Sequence, residues 1–590
     1  MPAPTKFISH LLLAFFPLGI LAQTNFPTRF EMSGGEETAT YEEGIGFYQQ
    51  LAGTFPEIQI TEQGPTDCGK PLHLITLSLD QDFDFSSLHA KEKAVLLVNN
   101  AIHPGEPDGV DASMMFLRDL MLERNQYQPL LKDVAIAVVP FYNIGGVLNR
   151  NSTSRANQNG PKEYGFRGNG RNYDLNRDFI KADTLNARSF TQLFHKIDPD
   201  IFVDTHVSNG ADYPYVMTID ITQKDKLGGP LAVYLEETMM PFLYESMEIA
   251  GAEMIPYVNI FGDTPENGYS QFFDSPRYSS GYTALFHTLG FMTETHMLKG
   301  YRERVWATYH YLMATLKVMH RDRLQILQIR QQTKEMTKAQ SKFDLAWELD
   351  ESRHTPLRFK GYKSEWITSE VTGQKRLRYD RQQTFNKQIP YANHYRATVS
   401  VSRPDYYLIP QSWRQIIDRL RLNQVRLETL SKDTTYDVEV YHIEDYQTLE
   451  KPYEGHYLHR NVKLRTERAT LRFRKGDVRV PVNQWRNRYI VETLEPQGID
   501  SFFAWNFFDT ILQRKEGYSD YVFEDEAAQL LATDSKIREA FETKRRNDSS
   551  FASDGRAQLD FIYRRSPRYE AAHLRYPIYR VPAEASPQTR

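Results

Sequence analysis

One cysteine, Cys68, occurs in 590 residues. That excludes an intramolecular disulfide and any thiolate-built zinc cluster. Long apolar runs are equally scarce. Leu11 to Leu21, interrupted by Pro17 and Gly19, is the one stretch apolar enough to engage a membrane, and it is short for a spanning helix. With Lys6 before it and the small Ala22 after it, the stretch reads as a secretory signal over residues 1–22; an uncleaved anchor is the alternative. No cysteine follows the apolar stretch, which argues against a bacterial lipid anchor. An exported chain without disulfides suits a secreted or periplasmic place in a bacterial envelope, with no membrane span after signal removal. Neither sign of charge dominates: 71 Lys and Arg face 76 Asp and Glu, a net of −5, so no nucleic-acid partner is expected. No internal repeat is present.

What the chain has in quantity is length and aromatic side chains, 35 Tyr and 34 Phe. The length is too great for one ordinary core and predicts two or more domains. The aromatics read as core and sheet filler first. Thr38 to Leu51 has helical spacing, with Tyr41, Ile45, Tyr48 and Leu51 on one face. Leu72 to Leu79 alternates like a strand. Short apolar runs follow at Ala94 to Val98, Val134 to Phe141, Ile201 to Val203 and Leu289 to Met292, separated by helical stretches such as Ala112 to Glu123 and Leu185 to Lys196. Such runs suit strands buried on both faces of an α/β sheet. His103, Asn143, His206 and Glu294 each follow one of these runs within a few residues. In α/β proteins ligands collect beyond the carboxyl ends of the strands, so these residues can meet at one rim.

Arg302 to about Gln340 predicts one long helix. Beyond Lys342 alternating patterns take over, as in Tyr436 to Tyr441, and predict a second, mixed or mainly β domain. Leu471 to Phe473 and Val478 to Val480 flank Lys475-Gly476-Asp477 and read as a hairpin. Ser412 to Leu422 reads as a short amphipathic helix. The stretch from about Asp548 is polar, with partial disorder expected. Phe502 to Phe508, rich in aromatics around Trp505, reads as core, with a peptide or glycan surface as the alternative.

Two imidazoles and a carboxylate make a catalytic rather than a structural zinc site, because three protein ligands leave one position open. His103-x-x-Glu106 and His206 supply that set. Asp204, two residues before His206 on the same side of an extended strand, is placed to orient a ligand imidazole. The chain resembles the zinc metallocarboxypeptidase family of the carboxypeptidase A type over roughly residues 30–320. The resemblance rests on an ordered pattern: His103-x-x-Glu106, Arg167, the pair Asn176-Arg177, His206 and Glu294. It implies a mixed central sheet flanked by helices, one Zn²⁺ ion and removal of C-terminal residues from peptides with a free carboxylate. The expected organisation is a signal at 1–22, a catalytic domain at 30–320, a bridging helix at 321–345 and an accessory domain at 346–590.

The chemistry of each residue agrees. Zinc lowers the pKa of its water to about 7, Glu294 takes the proton and Arg167 stabilises the oxyanion. Asn176 and Arg177 hold the terminal carboxylate, which a guanidinium fork matches in two hydrogen bonds. Arg167 is preferred to Arg171 and Arg155 because relatives place an arginine ten residues before the arginine of the Asn-Arg pair. His195, His287 and His296 read as structural. A mobile tyrosine normally precedes the glutamate; Tyr278 and Tyr282 both qualify, with Tyr282 preferred. The family's Asn-Pro-Asp-Gly is Asn143-Ile144-Gly145-Gly146 here. A related zinc amide hydrolase trimming cell-wall peptides or acylated amino acids is the alternative enzyme, and an inactive zinc- or peptide-binding module the alternative outside catalysis.

Overall fold

The computed structural model describes residues 26–583; the signal reading lies outside them. Among the described residues nine strands precede the long helix: β1 (Ile58–Pro65), β2 (Pro71–Leu77), β3 (Ala94–Asn99), β4 (Val134–Val139), β5 (Ile201–Ser208), β6 (Met217–Ile221), β7 (Met254–Pro256), β8 (Tyr269–Ser270) and β9 (Leu289–His296). All but β8 form one mixed sheet in the order β1-β2-β4-β3-β5-β9-β6-β7. Its centre, β4-β3-β5-β9, is parallel, while β6 runs antiparallel to β9. The apolar runs sit here for a simple reason. Every residue of β3, β4 and β5 is buried, so these strands need apolar side chains on both faces.

Helices Tyr41–Thr54, Asp108–Leu122 and Tyr301–Ala339 cover one face, with Leu51, Met115 and Leu312 in a common core. The helix at 301–339 runs unbroken past residue 320. Helix Leu185–Ile197 lies on the other face, where Phe190, Phe194 and Tyr282 join a cluster that continues through Tyr407, Tyr489, Phe502, Phe503 and Trp505. The carboxyl half therefore shares a hydrophobic core with the sheet. The aromatic run around Trp505 is interior.

That half is built on β10 (Lys342–Leu349), β11 (Thr355–Thr368), β12 (Lys375–Ala392), β13 (Tyr395–Ser402), β14 (Pro404–Ile409), β15 (Glu428–Thr429), β16 (Thr434–Thr448), β17 (His459–Phe473), β18 (Val478–Pro481) and β19 (Tyr579–Pro582). β11, β12 and β8 form one sheet, β10 and β13 another, and β15-β18-β14-β19-β16-β17 the largest. The expected helix at 412–422 is Arg414–Leu422.

One sequence expectation fails here. Leu471–Phe473 and Val478–Val480 are not a hairpin: the first pairs with Thr434–Tyr436 and the second with Tyr407–Ile409. The turn exists, but β16 offers β17 a far longer ladder, so the turn carries the chain across the sheet. Of the stretch from about Asp548, expected to be partly disordered, residues 548–583 are described. Its helices Ser549–Ser553 and Gly555–Tyr563 bury Phe551, Leu559 and Ile562 against Phe523 and Phe541.

Candidate metal and peptide site

The strand order reverses between β3 and β5, since β3 is followed by β4 on one side and β5 on the other. A crevice opens at such a point beyond the carboxyl ends of parallel strands. After β3 the chain turns at Ala101, which has φ 56°, and the Glu106 N–H donates to the His103 carbonyl at 2.8 Å. That reverse turn brings both side chains to one side. Gly105 is required within it, because a Cβ there would lie 2.9 Å from Arg155 Cδ. His206 on β5 stands directly beside Glu294 on β9.

His103 Nδ1, His206 Nδ1 and Glu106 Oε2 converge. The nitrogens are 3.2 Å apart, and they lie 3.3 and 3.2 Å from the carboxylate oxygen. Zinc bonds of about 2.0–2.1 Å in tetrahedral geometry require ligand atoms about 3.3 Å apart. The triangle therefore fits a zinc ion in donor type and in size, and these three form a metal-capable cluster among the described residues. Each imidazole is backed by a carboxylate. The His103 Nε2–H donates to Asp174 Oδ1 at 2.9 Å, and His206 Nε2 lies 3.0 Å from Asp204 Oδ2. For His103, the carboxylate accepting at Nε2 leaves Nδ1 free to bind metal. Burial works to raise the Glu106 carboxyl, but Arg155, His103 and His206 outweigh it and hold it well below the usual range. Arg155 Nη1 donates to Glu106 Oε1 at 2.8 Å; this arginine serves the ligand and does not line the cavity.

His103, Glu106, His206, Glu294, Arg167, Asn176 and Arg177 all line one cavity. Protein packs closely around Glu294, though its carboxyl stays in reach of the cavity. Burial, with Glu106 nearby, pushes it up to about 8 against the opposing pull of His206, Arg167 and Arg155. A bound dication would pull it down. Arg167 Nε–H donates to Asp174 Oδ2 at 2.9 Å. Arg177 donates from Nε to Tyr453 Oη at 2.8 Å and from Nη1 to the Asn176 carbonyl at 2.9 Å. Asn176 Oδ1 accepts the Ser279 N–H at 3.0 Å, with Nδ2 toward Met292 Sδ.

Tyr282 is a correction. It is fully buried, donates to Asn423 Oδ1 at 2.6 Å and packs among Phe179, Phe194 and Phe286. Its place in the helix Ser279–Ala284 turns it into the core, whereas Tyr278, at the helix start, lines the cavity. The Arg177 guanidinium lies 4.5 Å over the Tyr278 ring. Arg171, His195, His287 and His296 are away from the cavity; His296 contacts Asp212 at 3.1 Å.

Sequence reasoning passed over four residues here. Asp174 joins His103 to Arg167. Asp220 lines the cavity with Oδ2 buried and unpartnered; it lies two residues along β6 from Thr218, the partner of Glu294. Burial, with Asp274 and Glu294 nearby, raises its carboxyl well above the ordinary value. An acid inside the apolar strand Met217–Ile221 was the available signal. Tyr257 lines the same cavity, and Tyr453 reaches Arg177 from the carboxyl half.

Residues 45–209 match the family model described as zinc carboxypeptidase. That segment is a zinc carboxypeptidase segment by family. "Carboxypeptidase 2" of Trichophyton rubrum is 23% identical over 433 residues, covering 70% of this chain and 74% of that protein; "Carboxypeptidase 2" of Trichophyton tonsurans matches at the same level. Among solved structures, a metallo-carboxypeptidase from Burkholderia cenocepacia is 17% identical and covers 48% of this chain and 70% of its own, with a TM-score of 0.36. The matched segment and the carboxypeptidase relatives make the chain a peptide hydrolase, and its fold is α/β with a mixed central sheet and a β-rich carboxyl half.

Proposed function

We propose that this metallocarboxypeptidase is exported and uses one zinc ion, a water and Glu294 to remove the C-terminal residue of peptides with a free carboxylate. The observation that carries the reading is the shared cavity: His103, Glu106 and His206, the Glu294 carboxyl and the Arg177 guanidinium all face it. We further propose residues 30–320 as the catalytic domain, 321–345 as a bridge and 346–590 as an accessory domain.

In this reading His103, Glu106 and His206 hold the zinc, which supplies Lewis acidity and lowers the pKa of a coordinated water to about 7. Glu294 accepts the proton of the attacking water and returns it to the departing amine. A carboxyl raised by burial is suited to doing both. Arg167, steadied by Asp174, donates to the oxyanion as it forms. Arg177 and Asn176 bind the terminal carboxylate, and Tyr278 covers the guanidinium face. The clamp demands a chain end, which an endopeptidase does not.

The test compares peptides with free and amidated C-termini. Hydrolysis of the free forms alone is expected, and equal cleavage of both refutes the exopeptidase reading. Glu294→Gln should keep its zinc and lose about 10²–10⁴-fold in kcat; near-native activity would place the base elsewhere.

A further inference from the structure

The Arg177 clamp is gripped from the far half of the chain. β16 and β17 are joined through a tight turn at Tyr453–His456, in which the Tyr453 N–H donates to the His456 carbonyl at 2.7 Å and the His456 N–H returns to the Tyr453 carbonyl at 3.0 Å. Its two central residues are left-handed, Glu454 at φ 50° and Gly455 at φ 80°. Glycine fits that geometry; a glutamate is an uncommon choice. The side chains give the reason. Glu454 Oε2 accepts the Asp174 N–H at 2.9 Å. A Cβ on Gly455 would come within 2.8 Å of Tyr173 Oη. His456 Nε2 meets Asp183 Oδ2 at 2.6 Å. Each residue of the turn thus lies on, or bonds to, the segment 173–183 that carries Asn176 and Arg177.

Tyr453 itself is fixed. Its ring stacks on Trp505 with centroids 6.2 Å apart and planes at 26°. The Arg277 guanidinium, held by Asp500 at 2.7 Å, lies 5.6 Å from the Tyr453 ring centroid. Tyr453 Oη takes up Nε of Arg177, the Asn176 carbonyl takes up Nη1, and the Tyr278 ring covers the face. No protein hydrogen bond engages Nη2 among the described residues. A long, entropy-rich side chain is thereby reduced to one orientation with its outer edge free for a carboxylate.

We propose that the turn at 453–456 is a working part of the substrate site: Tyr453 is a positioning residue for the Arg177 fork, and Glu454 is one for Asp174. This rests on Arg177 being the carboxylate clamp. A turn that merely docks the two halves would affect stability and leave substrate affinity alone.

The experiment measures kcat and KM for a free-carboxylate peptide, with zinc content and melting temperature, in the full-length protein. Tyr453→Phe removes one hydroxyl and keeps the Trp505 stack. It should raise KM about tenfold with kcat within about twofold, at unchanged zinc content and melting temperature. Glu454→Gln keeps an acceptor for the Asp174 N–H and should stay near wild type, while Glu454→Ala, acting through Asp174, should lower zinc affinity or kcat. A zinc-loaded, folded Tyr453→Phe enzyme with KM within about twofold of wild type overturns the proposal, as does a loss confined to kcat. Arg177→Ala reports separately on the clamp: if it retains the preference for free over amidated peptides, the clamp reading fails and this inference with it.

Discussion

Asp174→Asn is the sharpest perturbation of the site, because one carboxylate serves two functions through its two oxygens. Oδ1 accepts the His103 Nε2–H and the Asn176 N–H, both at 2.9 Å. Oδ2 accepts the Arg167 Nε–H at 2.9 Å. An asparagine can satisfy one side only. With its oxygen toward His103, the ligand tautomer survives and the amide N–H₂ confronts the Arg167 donor. In the flipped state Arg167 is satisfied, but His103 must accept at Nε2 and protonate Nδ1, where it can no longer bind metal. Loss of such a backing carboxylate costs about 10–100-fold in metal affinity. Release of an oxyanion donor costs about 10²–10³-fold in kcat. The first orientation keeps two hydrogen bonds against one, so Asp174→Asn should lose up to about tenfold in zinc affinity and about 10²-fold in kcat at saturating zinc. Asp174→Ala should reach the upper end of both ranges. Chelator competition reads the first quantity and steady-state kinetics the second. If Arg167 acts through Asp174, the Asp174→Asn/Arg167→Ala double variant should lose less than the product of the single losses. An Asp174→Asn enzyme within about threefold of wild type in both zinc affinity and kcat would refute the linkage.

Asp220→Asn should stabilise the protein, and more so at higher pH. An unfolded Asp220 ionises near 3.8, whereas burial holds the folded carboxyl well above that value. The folded state therefore carries no penalty below pH 3.8 and a growing one as pH rises above it. Asparagine removes a cost of about 1–3 kcal/mol, so the gain in melting temperature should be larger at pH 8 than at pH 5; equal gains, or a loss at pH 8, would contradict the assignment. Tyr278→Ala, which strips the ring from Arg177, should raise KM by roughly 2- to 30-fold from a cation–π contact of about 0.5–2 kcal/mol. Tyr282→Phe, which loses the bond to Asn423, should cost about 1 kcal/mol of stability by denaturant unfolding and leave KM unchanged.

The contrast between those two tyrosines marks where sequence reading stops. The apolar runs announced the parallel centre of the sheet because burial on both faces leaves a strand no other composition. Residues just beyond such runs meet at a rim whatever the intervening length, which brings His103, His206 and Glu294 together; in the sequence they stood out through their order with Arg167 and Asn176-Arg177, the order that carries the family resemblance. Tyr278 and Tyr282 differ by one helical turn, and their orientation depends on where the Ser279–Ala284 helix begins. Boundaries of that kind are set by packing, here against Phe179, Phe194 and Phe286. The misread hairpin at 471–480 has the same origin: a local turn signal is honest about the turn and silent about which strand each arm will pair with.

Tyr453 had no local signal of any kind. It lies 276 residues from Arg177, in a turn whose composition reads as an ordinary loop. Only Glu454 breaks a rule, by occupying a left-handed position that favours glycine or asparagine. Positions where local preference loses tend to be those where a distant contact wins, and here that contact is the backbone of Asp174. The consequence reaches folding as well as recognition. His206 and Glu294 lie on strands of the central sheet, and His103 and Glu106 lie in the turn after β3, but the Arg177 fork is bonded by Tyr453 from the turn between β16 and β17 of the other half. On the proposed reading, a chain with only the central sheet formed would hold zinc before it could discriminate a free chain end from an amide.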